Sequence, residues 1–190
     1  MELQGERLIP ASVDTTWAAL NDPEVLRACI AGCESLERTG VDAYTAVVAL
    51  KVGPVSARFK GNLQMTNVQA PNSYTINFDG QGGVAGFGKG SADVALTAEG
   101  AQTRLKYNAR ATVGGKMAQI GSRLIDATAG KITEDFFKAF EAYLQASNAP
   151  ATDASATPVV TAPASTGVSK VWWLIGAVVL LAVVYFVIRK

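Results

Sequence analysis

Two cysteines four residues apart, Cys29 and Cys33, and no histidine at all make up the chain's stock of the usual nucleophiles and metal ligands. Without imidazole there is no Ser-His-Asp or Cys-His nucleophile system, and none of the usual zinc or non-haem iron sites. Two thiolates alone cannot complete a four-ligand site. A disulfide between them is geometrically open, but the cytoplasmic placement argued below favours free thiols, small and buried in a turn or short helix. No catalytic residue and no metal ligand is therefore expected.

The carboxylates are no better placed for chemistry. Asp93, Asp126, Glu134 and Asp135 fall on polar or solvent-facing phases, whereas general acid–base work needs a carboxyl desolvated in a pocket. They are expected to be solvated or ion-paired. Gly80 to Gly90 (GQGGVAGFGKG) holds six glycines in eleven residues. A phosphate cradle needs a helix N-terminus after its glycines, but here a strand follows, so nucleotide binding is not expected. The glycines read as a hairpin turn, or as a flexible lip with Phe87 as its apolar tip. Arg58, Lys60, Arg104, Lys106 and Arg110 occupy outward phases of two strands, as a solvated face or as a docking surface for a protein or anionic lipid. The net charge of +1 gives no case for nucleic acid.

The elements that carry these residues are well marked. Glu2 to Ile9 reads as a strand closed by Pro10. Ser12 caps a helix of about two turns to Leu20, with Val13, Trp17 and Leu20 at helical spacing. Asn21-Asp22-Pro23 breaks it, and Pro23 opens a second short helix, Glu24 to Ala28. Period-2 alternation then predicts strands through Tyr44–Val52, Val55–Met65, Tyr74–Phe78, Lys89–Thr97 and Thr103–Val113, with one face buried and one wet. Short turns make the meander antiparallel, six-stranded in all with the first strand. From Gly115 to about Gln145 the period becomes 3.6. Met117, Ile120, Leu124, Thr128, Ile132, Phe136, Phe140 and Tyr143 form one stripe of a long helix. The fold class is α+β, with the sheet curved around that helix.

Composition divides the chain in three: a folded domain at 1–145, an Ala/Thr/Ser/Pro linker at 146–169 that is disordered by composition, and an apolar tail at 170–190. Val171–Ile188 is eighteen residues without a charge. As a helix it spans about 27 Å, close to the hydrocarbon thickness of a bilayer. Trp172, Trp173 and Tyr185 suit the headgroup level, and Lys170, Arg189 and Lys190 flank the run. A single transmembrane anchor is expected. The first residues show no secretory signal, so the main domain is expected in the cytoplasm, on the face of the cell membrane. The linker has an r.m.s. span of about 27 Å and reaches at most ~80 Å, enough for the domain to touch the bilayer or to stand off by a partner's width.

The order of elements looks like the helix-grip fold of the START and polyketide-cyclase-like superfamily, which implies a cavity between helix and sheet. Four stretches are more specific: LNDPEVLRACIAGCE at 20–34, KVGPVSARFKG at 51–61, GGVAGFGKG at 82–90 and GGKMAQIGSRLID at 114–126. In this order they closely resemble the G-subunit family of carbon monoxide dehydrogenase, over residues 2–144. One departure is Ala31, where the family has Pro in a CIPGCE-like turn; it loosens that turn without removing it.

The resemblance implies a noncatalytic accessory protein that recruits a CO dehydrogenase, or a related molybdenum hydroxylase, to the cytoplasmic membrane. It also implies a lipophilic small molecule in the cavity. Between an oxidoreductase and a bilayer, a respiratory quinone, menaquinone or ubiquinone, is the economical choice. On this expectation the cavity is lined by Leu26, Ile30, Val48, Leu50, Phe59, Leu63, Phe78, Phe87, Met117, Ile120, Leu124 and Phe136. Tyr107 is the candidate donor to a quinone carbonyl; Asn108 has the opposite phase. A small cavity enzyme, cyclase- or hydrolase-like, and a pure anchor with no ligand are the alternatives.

Overall fold

A computed structural model describes residues 1–148. The transmembrane helix expected at 170–190 and the linker beyond residue 148 lie outside the described residues. Within them no helix is long and apolar enough to cross a membrane.

The chain begins with β1 (Glu2–Ile9), α1 (Val13–Leu20) and α2 (Pro23–Cys29). Six strands follow: β2 (Cys33–Gly40), β3 (Ala43–Val52), β4 (Val55–Gln69), β5 (Ser73–Gln81), β6 (Phe87–Glu99) and β7 (Gln102–Gly114). The long helix α3 (Ser122–Asn148) ends the described chain. One-turn 3-10 segments, Gly83–Ala85 and Met117–Ile120, link β5 to β6 and β7 to α3. All seven strands form one antiparallel sheet in the order β1-β7-β6-β5-β4-β3-β2. Hairpins connect β2 through β7 in sequence, and β1 returns to pair with β7.

Local chemistry explains the short helices. The Ser12 hydroxyl accepts from the Thr15 N–H at 3.3 Å, satisfying a free donor of α1. Asp22 accepts from the Glu24 N–H at 2.9 Å, and Pro23 occupies the first turn of α2, where its missing N–H costs nothing. Val25 and Cys29, one turn apart, are the buried pair of α2.

Two expectations need correction. The sheet has seven strands and not six: β2 carries no period-2 signal, because CESLERTG buries Leu36 alone and its remaining residues show no apolar alternation. The long helix does not begin near Gly115. Met117–Ile120 is a separate turn, and Gly121 at φ 100° breaks the backbone before Ser122 starts α3. That φ lies in the left-handed region that glycine enters without a Cβ penalty.

The main core lies under the C-terminal half of α3. Phe137, Phe140 and Leu144 meet Ile9, Leu96 and Leu105 of the sheet and Leu20, Val25 and Cys29 of the short helices. Phe140, Leu144, Ile9 and Leu105 are essentially fully buried, each contributing about 1.5–3 kcal/mol of transfer free energy. Leu144, rather than the expected Tyr143, continues the stripe; Tyr143 is 40% exposed. A second cluster, Tyr44, Met65 and Tyr74, closes one side of the sheet. A third, Val52, Ala85 and Met117, holds the β3–β4 turn and both 3-10 turns together at the far end.

Candidate functional site

Between these clusters, the inner face of the sheet carries a strip of small residues. Ala46, Gly61, Gly80 and Gly88 are successive register partners across β3, β4, β5 and β6. Beside that row runs another, Tyr44, Leu63, Phe78, Gly90 and Ala111. A Cβ added to Gly88 would meet nothing within 4 Å, and one on Gly80 only a carbonyl oxygen at 3.8 Å. On α3, a Cβ at Gly130 would likewise stand in open space. The strip is therefore a floor without side chains, in a protein whose interiors are normally filled to crystal-like density. Around it Val48, Leu50, Phe59, Leu63 and Phe78 point inward by phase yet are only half-buried. Apolar walls that solvent can reach, over a floor of glycine and alanine, form a trough that suits an apolar ligand.

The structure brings together some of the residues expected to line a cavity and not others. Val48, Leu50, Phe59, Leu63 and Phe78 share the inner face. Leu124 stands at the rim, 41% exposed, where its Cδ2 would lie 2.8 Å from a Cβ on Gly53. Ile120 is half-buried beside it. Met117 is buried in the end cluster with Val52 and Ala85, so it plugs the trough's end instead of lining it. Phe136 stacks on Phe140 with ring centroids 5.7 Å apart, packed against the main core. Leu26 and Ile30 are half-buried in and after α2, beside the core pair Val25 and Cys29.

Phe87 is a correction. It pairs with Gly114 while Gly88 pairs with the inward Val113, so Phe87 has the outer phase, and its ring lies over Gly114. Nor is Phe87 the tip of the glycine-rich turn: Val84 is, at 85% exposed.

Polar groups on the inner face are few. Tyr107 lies on the inner face against Phe137, ring centroids 5.5 Å apart, and over Gly5 of β1. Among the described residues its hydroxyl has no hydrogen-bond partner. Arg7 of β1 is ion-paired with Glu134 of α3 and lies over the Phe137 ring at 5.6 Å. The other carboxylates behave as expected for solvated or paired groups: Asp135 pairs with Lys131, and Asp93 accepts from the Thr75 hydroxyl at 2.7 Å. Both cysteines are free, and burial raises each thiol above its ordinary pKa. No cluster of three or more metal-ligating side chains occurs among the described residues.

The outer face differs in kind. Glu2, Asn62, Asp79, Lys89 and Arg110, with Leu63 and Phe78 between them, line a broad depression of about 1010 Å³ there. Its side chains tie to one another, with Arg110 on Glu2 and Asn62 on Asp79. Arg58 and Arg104 are also committed, to Glu34 and to Glu99 with Glu6. The charged and amide side chains around this basin keep it wetter than the inner trough, which is the better candidate for an apolar ligand.

A family model for the G subunit of carbon monoxide dehydrogenase (CoxG) matches residues 5–145. The chain belongs to the CoxG family. A conserved protein of Geobacillus kaustophilus is similar over 77% of this chain and 97% of its own, with 32% identity and a TM-score of 0.73. A START superfamily protein of Mycobacterium smegmatis (16% identity, TM-score 0.58, 76% of this chain and 97% of that one) shares the fold. So does the ZhuI aromatase/cyclase of a Streptomyces species (11% identity, TM-score 0.54, 76% and 93%). No curated protein sequence matches the chain. In this CoxG-family domain, three of the four stretches that carry the resemblance meet at one end of the trough. KVGPVSARFKG forms the β3–β4 hairpin, GGVAGFGKG the first 3-10 turn, and GGKMAQIGSRLID the second with the start of α3.

Proposed function

We propose that this protein is a noncatalytic accessory protein that holds a respiratory quinone, menaquinone or ubiquinone, in the inner trough and serves a CO dehydrogenase or related molybdenum hydroxylase at the cytoplasmic membrane. The observation that carries it is the side-chain-free floor at Gly61, Gly80 and Gly88, open above the last two and walled by half-buried Val48, Phe59, Leu63 and Phe78. Such a site binds by apolar burial, with one or two polar groups for orientation. Tyr107 and the edge of the Arg7–Glu134 pair are the polar groups on offer. The family name supports the partner, and the apolar segment 170–190 supports a single-pass anchor with the domain in the cytoplasm. A tether of that kind raises the partner's local concentration near the bilayer.

Reduction of the quinone would draw on the partner's redox centres, because this chain has no histidine and its two thiols are buried or half-buried. The enzyme alternative needs a free acid or base on the inner face, and Glu134 is tied to Arg7. The test is native mass spectrometry, with lipid extraction, on the compact unit Met1–Pro150 purified from its own host. A stoichiometric quinone is expected. A domain that is empty, rejects added quinone and still binds CO dehydrogenase would leave a pure anchor.

A further inference from the structure

The end of the fold where the β3–β4 turn, both 3-10 turns and the start of α3 meet has an unusual surface. Val84 is 85% exposed at the tip of the Gly83–Ala85 turn, and Leu124 is exposed at the start of α3, against Gly53 of the β3–β4 turn. The Val84 tip is held firmly. Ala85 is buried in the end cluster, the Gly82 N–H donates to the Gly86 carbonyl at 2.8 Å, and the Phe59 ring packs against Gly82. The turn thus presents an apolar side chain to solvent on a fixed mount. The segments that meet here carry Lys51, Lys116 and Arg123, all exposed and without an ion pair among the described residues. The segments 51–55, 82–87 and 114–124 carry no carboxylate. On a chain of net charge +1 this is a local concentration of positive charge.

We propose that this end of the domain docks on a bilayer surface bearing anionic headgroups. Val84 and Leu124 enter the interface, and Lys51, Lys116 and Arg123 lie among the headgroups. Exposed apolar tips with long cationic side chains on the segments beside them have the layout of interfacial membrane binders. A protein partner is the poorer fit, because protein hot spots are packed pockets and aromatic anchors, whereas here the apolar groups are separate convex tips. The inference rests on the reading of the inner trough as a quinone site and deepens it, since Leu124 and Ile120 stand at the trough's rim against Gly53. An apolar ligand would then pass between bilayer and trough without crossing water.

The experiment uses the full chain reconstituted into vesicles of phosphatidylcholine, with or without phosphatidylglycerol. A nitroxide is attached at Val84→Cys in a Cys33→Ser background, Cys29 being buried. A control label sits at Val41→Cys, in the β2–β3 turn at the opposite end of β3. Depth is read from accessibility to oxygen against a water-soluble nickel complex. On anionic vesicles the label at position 84 is expected to gain oxygen access and lose nickel access, while the control stays in water. High salt, neutral lipid, or the combined Lys51→Gln, Lys116→Gln and Arg123→Gln substitutions return it to water.

A label at 84 as wet as the control on anionic vesicles overturns the proposal. So does immersion that the triple substitution leaves intact. A label that stays wet while the triple substitution weakens capture of purified CO dehydrogenase makes the surface a protein-docking face, which also overturns it. The quinone reading stands or falls separately: a quinone-loaded domain with a wet label defeats only the docking, and an empty domain with an immersed label defeats only the quinone.

Discussion

Tyr107 lies across Gly5, its register partner on the edge strand β1, so closely that a Cβ on Gly5 would stand 2.6 Å from the phenol oxygen and 2.9 Å from Cζ. The missing side chain lets the ring lie flat with its hydroxyl unpaired on the inner face. If that hydroxyl orients a quinone carbonyl, Tyr107→Phe removes about 0.5–1.5 kcal/mol of binding, a loss of roughly 2–10-fold. Thermal stability should hardly change. Gly5→Ala, by contrast, forces the ring to move and costs about 1–3 kcal/mol of stability. Quinone titration and thermal melts on the two variants separate the roles; unaltered affinity in Tyr107→Phe rules the donor out.

Gly88 offers the cleaner test of the trough. A Cβ there meets no atom within 4 Å, and its φ is not in the left-handed region, so the folded backbone accepts the Cβ of Gly88→Val. Replacing glycine within a strand removes an entropic cost of roughly 0.5–1 kcal/mol, and stability should hold or rise. Ligand binding should fall at least about tenfold, because the methyls occupy the floor (~1.4 kcal/mol for each factor of ten). A variant that melts at the same temperature or higher and still binds quinone normally would show that the ligand lies elsewhere.

Much of this fold is legible in the sequence, because period-2 alternation is strong in β3, β4, β5 and β7. Tyr44, Phe59, Leu63, Phe78 and Tyr107 all have the phase that their neighbours imply. Failures occur where the pattern is absent or continues past a break. Cys33–Gly40 is an edge strand with one buried apolar residue, Leu36, so nothing in its composition separates it from a loop. Met117 and Ile120 continue the helical spacing of Leu124 across Gly121, and periodicity cannot register a backbone break between them. Phe87 misleads because it is the one aromatic in a glycine run, where alternation has no other side chain to set it. The floor of the trough is readable in principle: Gly61, Gly80 and Gly88 all fall on inward phases. Only the strand register shows that they are neighbours.

Phe140 and Leu124 both belong to the apolar stripe of α3, yet they should respond differently to truncation. Phe140 is fully buried among Phe136, Phe137 and Leu144, and Phe140→Ala should cost about 3–5 kcal/mol, enough to unfold much of the population of a marginal domain. Leu124 is 41% exposed at the rim, and Leu124→Ala should cost less than about 1 kcal/mol. Urea midpoints on the two variants decide it. A large loss at Leu124 would mean that the rim is packed in solution and the trough closed.

Alkaline pH should expose the domain's buried acids. Burial pushes the Tyr74 phenol well above its ordinary value, with the nearby Tyr44 adding to the shift, and burial likewise raises the Cys29 thiol. In each case the unfolded chain ionises first. The stabilisation is therefore complete below the unfolded values, about 8.5 for a thiol and about 10 for a phenol, and is lost as pH climbs from there toward the folded ones. Tyr74 packs edge-on against Trp17, ring centroids 5.4 Å apart, so Tyr74→Phe keeps the contact and deletes the ionisation. The variant should lose less stability than the parent between about pH 9.5 and 11, with matching behaviour near neutrality. Parallel urea-midpoint curves for the two proteins across that range would mean that Tyr74 ionises freely in the folded state.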